Sequence, residues 1–269
     1  MTKVAIGESP VWTPTLTKES LFAKAHGGDA YYQAILGIFM RAGEMGMKMD
    51  FETSRKWSQK AASGGEPLGL YNLATVALLA GEFKKSHTYY EDAQLRLARI
   101  ASQGDPIAQY AMGEICYNSL PIDHVRAIDY FRKSAEGGYP QGQATLGALF
   151  LKGIPSLLPK DTRKGIALLG MAARHHSWTA RQNLGMAYYN GDGVAKDNGL
   201  AIRWLRLAAD QNSAEAQHAL ADLLSEVDPV TNKHEIIRLL RLAANQNHAS
   251  AKEDLRKYTI SPKTTGSNA

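Results

Sequence analysis

The stretch that decides the fold is GMAYYNGDGVAKDNGLAIRWLRLAADQN, residues 185–212. It places an aromatic-rich segment and an apolar segment on either side of the loop NGDGVAKD, and the apolar segment ends in Ala208 and Ala209. Apolar residues in both flanks recur at steps of three and four residues, which is the spacing of one face of an α-helix. The stretch therefore predicts two helices joined by a short corner.

The same arrangement repeats along the chain. Small residues flanked by Leu and an aromatic residue recur at spacings of 37, 39, 34, 38 and 36 residues, at Gly37, Ala74, Gly113, Gly147, Gly185 and Ala221. An Ala-rich segment such as WLRLAADQN, with a residue suited to a left-handed helix end, precedes each new unit. Strand patterns are nearly absent, and each helix pair leaves an apolar face that only a neighbouring unit can cover. We therefore expect an all-α fold, a right-handed α-solenoid superhelix of about six helix-turn-helix repeats.

The fifth unit resembles the Sel-1-like repeat, a short relative of the tetratricopeptide repeat, whose pattern is AxxxLGxxYxxGxGVxxDxxxAxxWxxxAAxxG. The matching residues are Ala180, Leu184, Gly185, Tyr188, Gly191, Gly193, Val194, Asp197, Ala201, Trp204, Ala208 and Ala209. The resemblance extends over about residues 28–250. The second and sixth units lack the Gly-x-Gly corner, the third has NSLPID there, and the fourth lengthens it to KGIPSLLPKD.

The repeats divide the chain into four expected parts. Residues 1–27 are predicted to form an N-terminal cap and a partly disordered leader, and residues 28–247 the repeat array. Residues 248–258 are predicted to form a C-terminal capping helix, and residues 259–269 a disordered tail.

The loop NGDGVAKD is predicted to be a structural corner. Gly191 and Gly193 supply backbone angles that residues with a Cβ avoid, and Asp197 is placed to cap the following helix. A phosphate loop needs a preceding strand and a Lys-Ser/Thr pair, and a calcium loop needs carboxylates at alternate positions and a closing Glu. The loop has neither arrangement.

Composition and motifs argue against several classes of function. The chain has 31 basic and 26 acidic residues, a net charge of +5, and no basic block, so nucleic-acid binding is not expected. Its most apolar run, LGLYNLATVALLAG, is too short for membrane insertion. Cys116 is the only cysteine, which excludes an intrachain disulfide and favours a reducing compartment, so we expect the cytoplasm.

We assign no catalytic residue, no metal site and no cofactor. His175 and His176 point about 100° apart on a helix and are expected to be exposed residues at a helix end. Cys116 takes the place of Tyr188 of the fifth unit and is expected to be a small buried residue.

The resemblance to tetratricopeptide-like solenoids implies a concave face lined by the first helix of each repeat. The residues expected there are Tyr71, Tyr110, Tyr117, Asn118, Lys152, Gln182, Tyr189, Asn190 and His218. The alternative is that these tyrosines pack inside the superhelix. Leu157 and Leu158, in a Pro-bounded loop, either fold back onto the array or form an exposed anchor for a partner.

The function expected from this surface is non-catalytic: a scaffold or adaptor that holds a protein or peptide partner in its concave face. One alternative is an immunity-type protein that binds and neutralises a toxin or effector. A hydrolase of β-lactamase type is less favoured, because relatives with reported penicillin binding rely on a disulfide in each repeat.

Overall fold

The computed structural model describes residues 16–118 and 121–259. Within these ranges it contains fourteen α-helices: α1 (Lys18–His26), α2 (Ala30–Ala42), α3 (Phe51–Ser63), α4 (Pro67–Leu79), α5 (Phe83–Ser102), α6 (Pro106–Asn118), α7 (His124–Glu136), α8 (Pro140–Lys152), α9 (Thr162–Arg174), α10 (Trp178–Asn190), α11 (Asn198–Ala209), α12 (Ala214–Val227), α13 (Lys233–Asn245) and α14 (Ala249–Thr259). One isolated bridge, between Ile154 and Leu158, is the only β pairing in the described residues. The predicted all-α solenoid is confirmed.

The helices form six consecutive pairs. The first helix of each pair is called an A helix (α2, α4, α6, α8, α10 and α12), and the second a B helix (α3, α5, α7, α9, α11 and α13). Each helix packs against the next one along the chain. Helix α1 precedes the first pair, and α14 lies where a capping helix is expected. The predicted leader and tail fall largely on residues 1–15 and 260–269, which lie outside the described residues.

Short polar side chains fix where the helices begin. Four B helices start after an aspartate whose carboxylate accepts a hydrogen bond from the backbone N–H three residues later: Asp50, Asp123, Asp161 and Asp197. Serine has the same role before α10 and α12. Each such cap stabilises its helix by about 1 kcal/mol. The predicted role of Asp197 is confirmed.

Small residues let the two helices of a pair cross closely. A Cβ added to Gly185 would lie 2.7 Å from the Leu205 side chain of α11. A Cβ on Gly113 would lie 2.6 Å from the Phe131 ring of α7. Both glycines are reference positions of the repeat, so the predicted helix register is confirmed.

The turn from each B helix to the next A helix, called here an inner turn, uses the left-handed backbone region. The residues with positive φ at these turns are Gly28, Gly65, Gly104, Gly138, His176, Asn212 and Asn247. Three of the seven are not glycine, and asparagine tolerates this region better than other residues with a side chain. His176 is exposed at the end of α9, as predicted from the sequence.

Buried Leu, Ala and aromatic side chains line the length of the array, and Cys116 is buried among them, as predicted. In the part of the chain that the structure describes, every helix is too short or too polar to cross a lipid bilayer.

Candidate partner-binding site

The first repeat runs along the interior of the superhelix and contacts later repeats in order. Near the start of α2, the hydroxyl of Tyr31 donates a hydrogen bond to Oδ2 of Asp105, at the second inner turn beyond it, over 2.7 Å. Near the end of α2, the ring of Phe39 stacks on Tyr139, before α8, with 6.5 Å between centroids. Successive inner turns therefore meet successive parts of α2.

Beyond α2 the chain continues across the interior as residues 43–50, a segment called here the strap. Its backbone is held at the inner turn between α11 and α12. The amide nitrogen Nε2 of Gln211 donates to the carbonyl of Gly43 over 2.5 Å, and the N–H of Met49 donates to the carbonyl of Gln211 over 3.1 Å. The side chain of Asn212 donates to the carbonyl of Met49 over 3.4 Å. The strap thus closes the solenoid by joining its first repeat to its fifth and sixth.

Gln211 is the centre of this contact. Its Nε2 also donates to the carbonyl of His176 over 2.8 Å, and its Oε1 accepts a hydrogen bond from Nη1 of Arg181 over 2.9 Å. Arg181 in turn contacts Nδ1 of His176 over 2.8 Å. One buried amide therefore connects the strap, the inner turn before α10 and the body of α10.

Glu44 is the one acidic residue of the strap that is buried, and it is only 2% exposed. Burial raises the pKa of Glu44 to about 8, although a hydrogen bond with Gln141 and the charges of Arg181 and Arg41 lower that pKa. Its oxygen Oε1 has no hydrogen-bond partner, and the same is true of Nε of Arg181. Buried polar atoms are normally paired. The strap is therefore held in place with part of its polar surface unsatisfied.

Beside the strap lies a cavity of about 660 Å³, called here the central cavity. The ends of α2 and α4 form one side, and the beginnings of α8, α10 and α12 form the other. Met49 of the strap, Phe51 of α3 and Trp178 of α10 supply apolar and aromatic surface. A concave, largely apolar surface with a few polar groups is typical of a binding site.

Two arginines and one glutamate supply the charge at the central cavity: Arg41, Arg55 and Glu215. Nε of Arg41 donates to Oδ1 of Asn72 over 2.6 Å, which fixes the guanidinium at the wall. Arg55 lies 4.0 Å from Glu82 in an exposed ion pair, which holds its side chain only weakly. The polar groups are therefore suited to recognising a carboxylate or a backbone carbonyl.

Two of the sequence-predicted groove residues are buried. Tyr71 has no exposed surface and Tyr110 is 9% exposed, with an edge at the central cavity. The guanidinium of Arg41 lies 6.0 Å from the Tyr71 ring centre, and the Tyr139 ring packs edge-on against Tyr110 at 5.5 Å. The expectation that Tyr71 and Tyr110 form an exposed strip is wrong, because the first repeat and neighbouring A helices cover both rings. The alternative, packing inside the superhelix, holds for this pair.

Four other predicted residues are exposed at the far ends of A helices, away from the residues that line the central cavity. They are Tyr117, which is 39% exposed, Asn118, Lys152 and Asn190. Asn118 donates to the carbonyl of Glu114 over 2.9 Å, within its own helix. A role for these four residues in partner binding stays a prediction.

The remaining predicted residues are partly buried: Gln182, Tyr189 and His218. The hydroxyl of Tyr189 donates to the carboxylate of Glu226 on α12, so this tyrosine links two neighbouring A helices. None of the three lines the central cavity among the residues that the structure assigns to it.

His218 also belongs to the one cluster in the described residues with a metal-like ligand set. Its nitrogens lie 2.8 Å from Asp254 on α14 and 3.4 Å from Asp222 on α12, and the three ligand atoms fall within 4.8 Å of one another. Burial raises the pKa of Asp222, while hydrogen bonds from Lys257 and His218 lower the pKa of Asp254. Because these atoms already satisfy one another, we interpret the cluster as the attachment of α14 to the array.

The two leucines of the fourth corner behave differently. Leu158 is 4% exposed and pairs its backbone with Ile154, whereas Leu157 is 44% exposed. Leu158 therefore folds back onto the array and is wrong as an anchor, because the Ile154 pairing turns it inward. Leu157 faces a surface depression next to Ile122 and Val125, and its role as an anchor stays a prediction.

Sequence reasoning missed most of the residues that shape the interior: the strap with Glu44, its receptor Gln211, and Arg55 and Trp178. One signal was present. The first corner reads GEMGMKMD, with three methionines at alternate positions, whereas the fifth corner, NGDGVAKD, has none. Methionine is flexible and adapts to irregular surfaces, so three in a short corner indicate a buried loop.

Comparison with known proteins identifies the same repeat family as the sequence pattern. The sequence pattern of the Sel1 repeat matches residues 30–66, 106–139, 140–177, 179–213 and 214–248. The second pair, α4 and α5, lies outside these matches, and its B helix has 20 residues instead of the usual 12 or 13.

Two relatives illustrate the similarity. An uncharacterised protein of Neisseria meningitidis is 28% identical over 181 residues, which is 67% of this chain and 36% of that protein. The DAP3-binding cell death enhancer 1 of Rattus norvegicus is 31% identical over 100 residues, 37% of this chain and 19% of that protein. The chain thus spans roughly a third or less of these curated relatives.

The crystal structure of a Sel1 repeat protein from Oxalobacter formigenes has a TM-score of 0.51 at 22% identity, covering 85% of this chain and 94% of the other. At this identity the likeness supports the fold.

Proposed function

The chain belongs to the Sel1 repeat family, and from that membership we propose that it is a non-catalytic scaffold that binds a protein partner through the central cavity. The observation that carries the proposal is the cavity itself. It combines aromatic and apolar walls with two arginines on the interior of a repeat array, where such arrays present extended binding surfaces.

The lining of the cavity favours recognition of a protein segment. Phe51 and Trp178 offer broad apolar surfaces, and such residues are enriched where partners make their strongest contacts. Arg41 and Arg55 offer donors for a carboxylate or for backbone carbonyls. A partner that inserts one side chain between these groups gains both apolar burial and a charged hydrogen bond.

Two further points support this proposal. The DAP3-binding cell death enhancer 1 is named for binding another protein, and it shares part of this repeat array. The single cysteine supports the cytoplasm as the compartment in which the partner is met.

The test is to fill the cavity without disturbing the core. Ala80 is exposed at the end of α4 and lines the cavity, so Ala80→Trp places an indole in the cavity. Ala195 is also exposed, but in the fifth corner away from the residues that line the cavity, so Ala195→Trp is the matched control. Wild type and both variants are used as baits in a lysate of the native organism, after melting curves confirm that all three fold.

We expect a protein that the wild type and Ala195→Trp recover and that Ala80→Trp loses. A protein recovered equally by all three places the binding site elsewhere and contradicts the proposal. The nature of the recovered protein also separates an adaptor, which would recover a component of a larger assembly, from a neutraliser, which would recover a toxin or effector.

A further inference from the structure

We propose that the strap is a built-in ligand of the interior surface, and that the partner supplies a turn-forming segment of the same chemistry, a glutamate beside flexible apolar side chains, which displaces it. This inference rests on the proposed function, since it names the kind of segment that the scaffold takes.

The first argument is the way in which the strap is held. Both of its ends bind Gln211: the carbonyl of Gly43 accepts from the side chain, and the N–H of Met49 donates to the backbone carbonyl. Asn212 adds a hydrogen bond to the carbonyl of Met49. These contacts reach backbone atoms, which any peptide presents. A looped segment from another protein can therefore make the same hydrogen bonds.

The second argument is the set of polar groups that surrounds Glu44 in the receptor. The carboxylate of Glu44 faces Arg181 of α10, Arg41 of α2 and Gln141 of α8. These cations and the amide come from three helices, and Glu44 is the one acidic side chain that the strap buries. The receptor therefore fits the carboxyl group of a glutamate at this place in the incoming segment, with Gln141 and the two guanidinium groups as its polar neighbours.

The third argument is that the strap is held at a cost. Met45 has a φ of 53°, a left-handed conformation that is unfavourable for a residue with a long side chain. Oε1 of Glu44 and Nε of Arg181 have no hydrogen-bond partner, and burial raises the pKa of Glu44. A segment under strain with unsatisfied buried atoms opens more readily than a well-packed one. A partner segment that satisfies these atoms has an advantage over the strap.

The fourth argument is continuity. Met49 belongs to the strap and also forms part of the wall of the central cavity. A segment that enters the cavity therefore meets the strap directly, and displacement of the strap joins the cavity and the strap site into one longer surface.

The experiment uses two cyclic peptides of equal length as probes. One carries residues 43–50, GEMGMKMD, and the control carries residues 190–197, NGDGVAKD, from the fifth corner. Both are closed through flanking cysteines, because a preorganised loop loses less entropy on binding. Fluorescence anisotropy measures their affinity for the full chain and its variants.

Two variants open the strap. Glu44→Lys places a cation beside Arg41 and Arg181, and a second variant replaces residues 44–49 by a Gly-Ser sequence of the same length while keeping the cap Asp50. We expect both to bind the strap peptide about tenfold or more tightly than the wild type, because a strap that is mostly closed multiplies the intrinsic affinity by the small fraction that is open. Adding Gln211→Ala to the second variant is expected to abolish the gain.

Three results would overturn the inference: a folded Gly-Ser variant that does not bind the strap peptide, equal affinity for the two peptides, or a Gly-Ser variant that does not fold, which would make the strap part of the core. The proposed function fails separately. If the strap peptide binds but Ala80→Trp loses no partner, the scaffold role is wrong; if the partner is lost and the peptide does not bind, the strap inference alone is wrong.

Discussion

The first and fifth corners, residues 43–50 and 190–197, have the same backbone features at their two ends but contact different parts of the molecule. In each, the glycine that directly follows the A helix lies in the left-handed region, Gly43 with φ 64° and Gly191 with φ 80°. Each ends with an aspartate that caps the next helix, and the N–H of that aspartate, Asp50 or Asp197, donates to a carbonyl near the end of the A helix over 2.9 Å.

Between these fixed ends, the two corners contact different parts of the molecule. Gly193 packs against Thr162 of α9, and Asp192 lies 3.7 Å from Lys160, so the fifth corner leans on the corner before it. The first corner has no earlier repeat corner to lean on, and Gly43 and Met49 reach the inner turn at Gln211 instead. The repeat pattern therefore determines the two ends of a corner. The residues between these ends determine whether the corner packs against the preceding corner or crosses the inside of the superhelix.

The largest expected difference in stability between the two corners comes from replacing a glycine in each. Gly193 has φ 75° and Gly46 has φ 70°, but a Cβ on Gly193 would lie 2.7 Å from Thr162, whereas on Gly46 the nearest atom is 3.9 Å away. Gly193→Ala should cost roughly 2–4 kcal/mol, from backbone strain and overpacking, and Gly46→Ala about 1–2 kcal/mol, from strain alone. Urea unfolding measures both. Equal losses would mean that the fifth corner does not pack tightly on α9.

The next effect concerns the receptor of the strap. Gln211→Ala removes the partner of Gly43, His176 and Arg181 at once, so we expect a loss of about 2–3 kcal/mol. Amide hydrogen exchange should accelerate at Met49.

The control is Gln103→Ala, the exposed residue at the same place in the turn after α5, which should change stability by no more than about 0.5 kcal/mol. If hydrogen exchange at Met49 stays at the wild-type rate in Gln211→Ala, the strap is held by other contacts.

A smaller effect depends on pH. Burial raises the pKa of Glu44 to about 8 from 4.5, so the closed strap binds a proton that the unfolded chain releases. The stability from this proton is fully present below pH 4.5 and is lost as the pH rises through 8. We expect a decrease of about 1–2 kcal/mol between pH 5 and 8, limited by opening of the strap.

Glu44→Gln should flatten this part of the profile, while Glu52→Gln, at an exposed position, should follow the wild type. Melting temperatures at a series of pH values provide the measurement. A Glu44→Gln profile parallel to that of the wild type would show that the carboxylate of Glu44 is not buried in solution.

The smallest expected effect tests whether the aspartates that end the two corners have the same capping role. The Asp50 carboxylate accepts from the N–H of Thr53 over 2.9 Å, and the Asp197 carboxylate accepts from the N–H of Leu200 over 2.8 Å. Asp50→Ala and Asp197→Ala should therefore each lower the free energy of unfolding by about 1 kcal/mol, and the two losses should be similar. Chemical denaturation of the two variants in parallel measures the difference. If the losses of the two variants differ by more than the expected loss of about 1 kcal/mol, the two aspartates do not have the same capping role.

The local features of the fold could be predicted because their causes lie close together in the sequence. The fifth corner is determined within seven residues by Gly191, Gly193 and Asp197. The glycines at helix crossings, such as Gly185, indicate close packing of the two helices. The direction of Tyr110 was also predictable, since its position on the A helix points inward.

Whether that inward surface is open was not predictable from the repeat. It depends on how far the superhelix closes, and closure joins Gly43 to Gln211, which are 168 residues apart. Such a contact leaves no local period in the sequence. A repeat pattern describes each unit and its neighbours, so a segment that crosses the interior must be found from its unusual composition or from coordinates.

The contact between Gly43 and Gln211 also changes how the molecule is expected to fold. An open repeat array behaves as a row of units, in which terminal units fray first and folding spreads from any point. A ring closed by the strap couples its first unit to its fifth and sixth, so that losing one end weakens the other. Such non-local closure raises the contact order and slows folding. The strap therefore turns a gradual, one-dimensional melting process into a single concerted transition.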